Sequence, residues 1–79
     1  MTSSEFKVKG EDLMRKIREL INEGNVNRII IKDETGKVYL EIPVTLGLIG
    51  ALIAPVLAAV GALAALAVDF TIEVIRKDQ

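Results

Sequence analysis

The sequence predicts an α+β fold with the element order β-α-β-β-α-β. Segments near both ends of the chain alternate polar and apolar residues, and two similar segments in the middle flank a turn that contains glycine. Two further stretches have helical character. In one compact domain this order is typical of a two-layer sandwich, a four-stranded antiparallel sheet of ferredoxin-like type with both helices on one face.

The first strand and the first helix follow from the pattern that begins at Glu5. Residues 5–9 alternate polar and apolar side chains, which predicts a half-buried strand with Phe6 and Val8 facing the core. We expect residues 1–4 to form a disordered tail and residues 5–76 to form a single domain. Apolar residues then recur at helical spacing, and Gly24 is expected to cap the end of this helix. The apolar face consists of Leu13, Ile17, Leu20 and Ile21.

Residues 26–33 and 37–42 predict a β-hairpin, because the turn between them contains Gly36 where a positive φ is needed. The apolar face of the predicted hairpin consists of Ile29, Ile31, Val38, Leu40 and Ile42. The polar face consists of Arg28, Ile30, Lys32, Lys37, Tyr39 and Glu41. Pro43 ends the second strand because it has no N–H for the ladder. Alternation from Phe70 to Ile75 predicts a last strand, followed by a charged tail at residues 77–79.

Between these strands lie the twenty-five residues of segment 44–68, which carry no charge and only one polar side chain, Thr45. A continuous helix from Leu46 to Ala67 would be about 33 Å long, whereas a strand of six or seven residues spans about 20–24 Å. Pro55 in the middle of such a helix would cost about 3 kcal/mol. We therefore expect one very hydrophobic helix that is bent or broken near Pro55, with pieces at residues 46–54 and 56–67.

Both faces of this segment are apolar, but one carries small residues and the other large ones. The sheet can cover only one face, and a bare apolar patch is rarely left exposed on a monomer. The other face either meets a partner or is shielded by the first helix within one fold. The candidate interaction surface consists of Leu46, Gly47, Ile49, Gly50, Ile53, Ala54, Leu57, Ala58, Val60, Gly61 and Ala65.

The composition argues against most kinds of catalytic and ligand-binding site. Cysteine and histidine are absent, which excludes disulfides, thiolate and imidazole chemistry and the usual zinc sites, and no hydroxyl group has an evident activating base. The acidic pairs at residues 11–12 and 33–34 suit a helix start and a turn better than a cation. We predict no enzyme, catalytic residue, cofactor, metal or small-molecule substrate.

Charge also sets expectations about partners and location. The net charge is −1, and the basic residues of the polar hairpin face are mixed with glutamates and accompanied by one aromatic, so nucleic acid is not an expected partner. The first residues lack the apolar core of a signal peptide. We expect the protein in the cytoplasm, or at the inner face of the membrane.

Two runs of the sequence carry a resemblance to a known family. The run EGN…RIIIKD…G…LEIPVT from Glu23 to Thr45 and the run GALIAPVLAAVGALAAL from Gly50 to Leu66 resemble the small prokaryotic family catalogued as domain of unknown function 4342. The resemblance extends from Glu5 to Val74. It implies no activity and no functional residue, but it implies that the charged and the apolar halves belong to one unit.

Two hypotheses of function remain open at the level of sequence. In the first, the protein is a structural or interaction module whose apolar segments pack together in a homo-oligomer. In the second, it associates with a lipid membrane by inserting residues 44–68 as a helix or as a re-entrant hairpin bent at Pro55. The segment is rich in Ala and Gly and lacks interfacial aromatics, which favours burial against protein.

Overall fold

The computed structural model describes residues 2–44, 53–66 and 68–77. Its elements confirm the α+β fold and the predicted order β-α-β-β-α-β. In chain order they are β1 (Thr2–Lys9), α1 (Gly10–Glu23), β2 (Val26–Lys32), β3 (Val38–Ile42), α2 (Ile53–Ala64) and β4 (Asp69–Arg76).

The four strands form one antiparallel sheet in the order β1-β4-β2-β3. Strands β1 and β2 are parallel to each other with β4 between them, and β3 and β4 are parallel with β2 between them. Each helical connection therefore belongs to a split β-α-β unit. The central strands are β4 and β2, whereas the first and third strands occupy the centre of a ferredoxin sheet. Strands β1 and β3 are the two edges.

The core lies between one face of this sheet and the two helices. Its sheet side is formed by fully buried residues of β2, β3 and β4, and α1 contributes Leu13, Ile17 and Leu20. Val60 contributes from α2. The buried sheet residues are Val26, Ile29, Ile31, Ile42, Phe70, Ile72 and Val74. Both helices therefore cover the same face, as the sequence predicts.

Helix α1 has the boundaries and the buried face that the sequence predicts. Glu11 and Asp12 lie in its first turn, where carboxylates interact favourably with the helix dipole. Gly24 follows its last residue with φ 84°, in the left-handed conformation that terminates many helices. On its exposed side Arg15 forms ion pairs with Asp12 at 3.2 Å and with Glu19 at 3.1 Å.

Strand β1 begins earlier than the sequence predicts. It starts at Thr2, so residues 2–4 belong to the sheet and not to a tail. Ser3 lies opposite Ile75 and Ser4 opposite Val74. The pattern of residues 2–4 is too polar to indicate a strand, but β4 continues to Arg76 and provides a pairing partner for all eight residues of β1.

Two predicted side-chain orientations are wrong because the hairpin contains a bulge. Ile31 pairs with Leu40, but Lys32 pairs with Val38, so Tyr39 is an extra residue in β3. Val38, predicted to face the core, is 55% exposed. The ring of Tyr39, predicted to face away, makes an edge contact with buried Phe70 at a centroid distance of 5.8 Å. Strict alternation fails here because one inserted residue shifts the two-residue period.

The described part of α2 begins at Ile53 and includes Pro55 as its third residue. The predicted piece 46–54 lies mostly outside the described residues, and the predicted piece 56–67 corresponds to the greater part of α2. After Ala64 the helix closes with hydrogen bonds of 3.1 Å from the N–H of Ala65 to the carbonyl of Gly61 and from that of Leu66 to that of Leu63.

The hairpin turn is organised by the carboxylate of Asp33. Its Oδ1 accepts hydrogen bonds from the hydroxyl of Thr35 at 2.7 Å and from the N–H groups of Thr35 and Lys37 at 2.8 and 2.9 Å. Gly36 supplies the positive φ, at 95°. The hydrogen bond from the Thr35 hydroxyl, followed by that from the Lys37 backbone, lowers the pKa of Asp33 below its ordinary value.

We expect the stability of the hairpin to depend on pH through the ionisation of Asp33. Because its pKa is lower in the folded chain, the stabilisation is complete above the unfolded pKa of about 3.9 and is lost as the pH falls through the folded pKa. Asp33→Asn keeps an accepting oxygen but removes the charge. Its melting temperature should lie a few degrees below that of the wild type at neutral pH, and the difference should close in acid.

Thermal unfolding followed by circular dichroism measures this difference. Glu34→Gln, which removes a carboxylate one residue further along the same turn, is the control and should retain the wild-type pH profile. If the melting temperatures of wild type and Asp33→Asn differ by the same amount from neutral pH to acid, the charge of Asp33 does not stabilise the hairpin.

Candidate functional site

Helix α2 is held to the rest of the fold along one side. Val60 is fully buried, and Val56, Leu63 and Ala64 pack against the same core. Towards α1, Leu57 lines a cavity of about 190 Å³ that is also bounded by Arg18, Ile21 and Asn22 of α1. These contacts determine which side of α2 remains available.

The opposite side of α2 is exposed and entirely apolar. Ala54, Ala58 and Ala62 follow one another at four-residue steps, so their Cβ atoms form one stripe along the helix. Pro55 and Ala65 are exposed beside this stripe. Where the chain leaves the helix, Leu66 is 53% exposed. We call the residues Ala54, Pro55, Ala58, Ala62, Ala65 and Leu66 the alanine face.

The two helices of the molecule differ in what they present to the outside. The exposed side of α1 carries Glu11, Arg15, Arg18 and Glu19, as expected for a helix that faces water. Helix α2 contains no polar or charged side chain in its sequence IAPVLAAVGALA, although four of the eleven residues whose burial is described are exposed. A helix face of this kind is typical of a surface that is covered by a partner.

The predicted interaction surface is divided by the fold. Of its eleven positions, Leu46, Gly47, Ile49 and Gly50 lie outside the described residues, and Ile53 begins α2 but its side chain is not described. Ala54, Ala58 and Ala65 lie on the alanine face.

The remaining three predicted positions face the interior or α1. Leu57 is half-buried beside α1, and Val60 is buried in the core. Gly61 also faces α1, since a Cβ added there would lie 3.7 Å from Cε of Met14. Val60 is therefore not accessible to a partner, and Gly61 is half-buried on the side that faces α1.

Sequence reasoning missed Pro55, Ala62 and Leu66 as members of the exposed surface. The helical repeat provides the missing criterion once one core residue is known. At about 100° per residue, positions two before and two after Val60 lie on the opposite side of the helix, which places Ala58 and Ala62 together. Without that anchor, the sequence does not tell which of the two apolar faces of segment 44–68 is exposed.

The open face of the sheet is charged, and two of its cations are paired with glutamates. Lys32 Nζ lies 3.0 Å from Glu73 Oε1 and 3.1 Å from Glu5 Oε2, and Arg28 lies 2.9 Å from Glu41. Hydrogen bonds to Glu73 and then to Glu5 raise the pKa of Lys32. Arg28 and Lys32, two cations that could have attracted a phosphate backbone, are thus neutralised by neighbouring glutamates.

Two other kinds of feature are absent from the described residues 2–44, 53–66 and 68–77. No group of three or more acidic side chains is arranged there to hold a metal ion. None of the described helices combines the length and the apolar character that crossing a membrane requires.

Residues 1–76 match the model of the family described as Domain of unknown function (DUF4342). Searches of curated proteins and of solved structures gave no significant match.

Proposed function

We propose that this chain, which belongs to the DUF4342 family of domains of unknown function, is a non-enzymatic module that self-assembles by packing the alanine face against a second copy. The observation that carries the proposal is the exposure of a helix side that holds only Ala, Pro and Leu. Covering such a surface gains about 25 cal/mol for every Å² of apolar area removed from water.

A second copy fits this face because of its shape. Alanines at four-residue steps leave a shallow, smooth stripe along which two helix backbones approach closely, at about 8 Å between axes. Two copies related by a two-fold axis place the same stripe on both sides of the contact, which is the commonest arrangement in homo-oligomers. The charged side of α1 and the charged open face of the sheet remain in water.

Lipid is the competing occupant of the alanine face, and the residue types there argue against it. Surfaces that insert into a bilayer carry bulky Leu and Phe together with Trp or Tyr at the interface. The chain has no Trp and three other aromatics, Phe6, Tyr39 and Phe70, all of which belong to strands of the sheet. The membrane hypothesis remains the alternative that the experiment must exclude.

We expect Ala58→Glu to weaken self-association by roughly a hundredfold. A two-fold interface buries the introduced carboxylate twice, and an unpaired polar group costs about 1–3 kcal/mol on burial. Sedimentation velocity over a concentration series measures the association. Asn25→Glu, which adds the same charge at an exposed position just after α1, is the matched control and should leave the association unchanged.

Ala58→Leu separates assembly from lipid binding. The larger side chain prevents close approach of two helices, so the assembly hypothesis predicts weaker association, whereas a lipid-inserted face should bind vesicles as well as before or better. Flotation with vesicles of neutral and anionic lipids measures the second effect. An association constant unchanged by both Ala58→Glu and Ala58→Leu would remove the alanine face from the interface.

A further inference from the structure

We infer that the free edge of β1 is a second self-association surface, at which β1 of two copies pair antiparallel with Phe6 opposite Phe6. The two four-stranded sheets then join into one continuous sheet. This pairing uses a different element from the alanine face and does not depend on it.

The two edges of the sheet differ in how well they are protected. Strand β3 has five residues, contains the bulge at Tyr39 and is followed by Pro43, and each of these features discourages the addition of another strand. Strand β1 has eight residues without proline and keeps an unbroken register with β4 from Thr2 to Lys9. A long and regular edge presents a row of backbone N–H and C=O groups that can pair with another strand.

The charges of β1 specify which strand can pair with it. Glu5 and Lys7 point to the open face of the sheet, opposite Glu73 and Thr71 of β4. When Phe6 lies opposite Phe6 in an antiparallel pair, Glu5 of each copy lies opposite Lys7 of the other, so the pair forms twice. If one strand slides by two residues in either direction, Glu5 lies opposite Glu5 or Lys7 lies opposite Lys7, and each of these pairs is unfavourable. The sequence of β1 is thus complementary to itself in one register.

The core-facing side chains of β1 are also not completely buried. Phe6 and Val8 are half-buried and form the floor of a groove of about 480 Å³ between β1 and α1. The Nζ of Lys16 lies over the Phe6 ring, 4.6 Å from its centroid. In the proposed pairing, Phe6 of the second copy lies beside Phe6 of the first, where cross-strand aromatic pairs are favourable.

The α1 wall of this groove carries charges of both signs. Arg15 and Lys16 alternate with acidic residues along the side of α1 that faces the β1 edge. The acidic residues are Glu11, Asp12 and Glu19. A two-fold axis through the Phe6 pair brings two such walls together in opposite directions, so a second copy of this chain suits the groove better than a strongly acidic or basic partner.

Charge reversal tests the pairing and its register. Glu5→Lys and Lys7→Glu are each made in the Ala58→Glu background, so that the alanine face does not contribute. The parent should be a dimer by sedimentation velocity, and each reversal should weaken the dimer at least about tenfold, because two like-charge pairs replace two ion pairs. An equimolar mixture of the two reversed chains should recover the dimer, since each introduced charge then meets its opposite.

The control is Glu41→Lys, which reverses the charge of an ion-paired glutamate on the other edge strand. It should leave the dissociation constant of the dimer unchanged. A monomeric Ala58→Glu parent, reversals without effect, or a mixture that fails to recover the dimer would each overturn the pairing. The alanine-face proposal fails independently, when wild type and Ala58→Glu show the same masses at every concentration.

Hydrogen exchange supplies a second test that needs no charge reversal. In the Ala58→Glu parent, the outward amides of β1 should exchange at least about tenfold more slowly at high protein concentration than in dilute solution, while those of β3 should not change. Exchange of the β1 amides that is independent of concentration would contradict the pairing even if a reversed chain proved unstable.

Discussion

Replacing Val60 by aspartate is expected to release α2 from the fold and to lower the free energy of unfolding by several kcal/mol. Val60 is fully buried among the residues of the core, and an ionised carboxylate in such a place costs several kcal/mol when nothing pairs with it. A domain of this size has a total stability of only about 4–12 kcal/mol. Urea unfolding followed by circular dichroism measures the loss.

The matched control for Val60→Asp is Ala62→Asp, two residues further along the same helix and on the exposed side. It should change the unfolding free energy of the monomer by about 0.5 kcal/mol or less, because surface substitutions rarely do more. It should nevertheless weaken self-association, since it lies on the alanine face. Equal stability of Val60→Asp and wild type would mean that α2 is not part of the core.

Replacing Phe70 by alanine is expected to cost about 3–5 kcal/mol, the usual range for removing a buried aromatic ring. Phe70 is 1% exposed and lies at the start of central strand β4, opposite Val8. Its ring also makes a T-shaped contact with the ring of Tyr39, at 5.8 Å between centroids. The substitution therefore removes contacts to β1 and to the bulge of β3 together.

Urea unfolding measures the loss at Phe70 as a lower midpoint. Tyr39→Leu is the comparison, because it keeps an apolar side chain over Phe70 and removes only the ring contact, worth about 0.5–1.5 kcal/mol. A loss of unfolding free energy below about 1 kcal/mol for Phe70→Ala would show that the Phe70 ring is not packed in the core.

The elements that sequence reasoning predicted correctly are those whose determinants are local. Helix α1 has an acidic first turn, a helical apolar repeat and a terminal Gly24, and all three indicate the same boundaries. The hairpin turn is marked by Asp33 and by Gly36, whose positive φ the structure shows. In these segments each residue agrees with its neighbours, so the pattern is sufficient.

The features that could not be predicted depend on partners distant in the chain. The strand order determines that Lys32 lies between Glu5 and Glu73, which are far from it in sequence. The bulge at Tyr39 carries no glycine or proline that would mark it. The polar start of β1 is ordered by its pairing with the end of β4, and nothing in residues 2–4 indicates this.

The sequence did not show which residues of the candidate surface are exposed and which face the interior, and the physical reason is different. A charged face normally tells which side of a helix is outside, but both sides of α2 are apolar. Residue size alone then suggested that Gly61 and the exposed alanines belong together. The position of Gly61 on the side that faces Met14 and the burial of Val60 separate them.

The mass of the purified chain in buffer without detergent tests the proposed self-assembly most directly. We expect light scattering to give a discrete multiple of the 8.6 kDa chain mass, which Ala58→Glu reduces. A mass of 8.6 kDa at every concentration, in the absence of detergent, would contradict self-assembly through any surface of this protein.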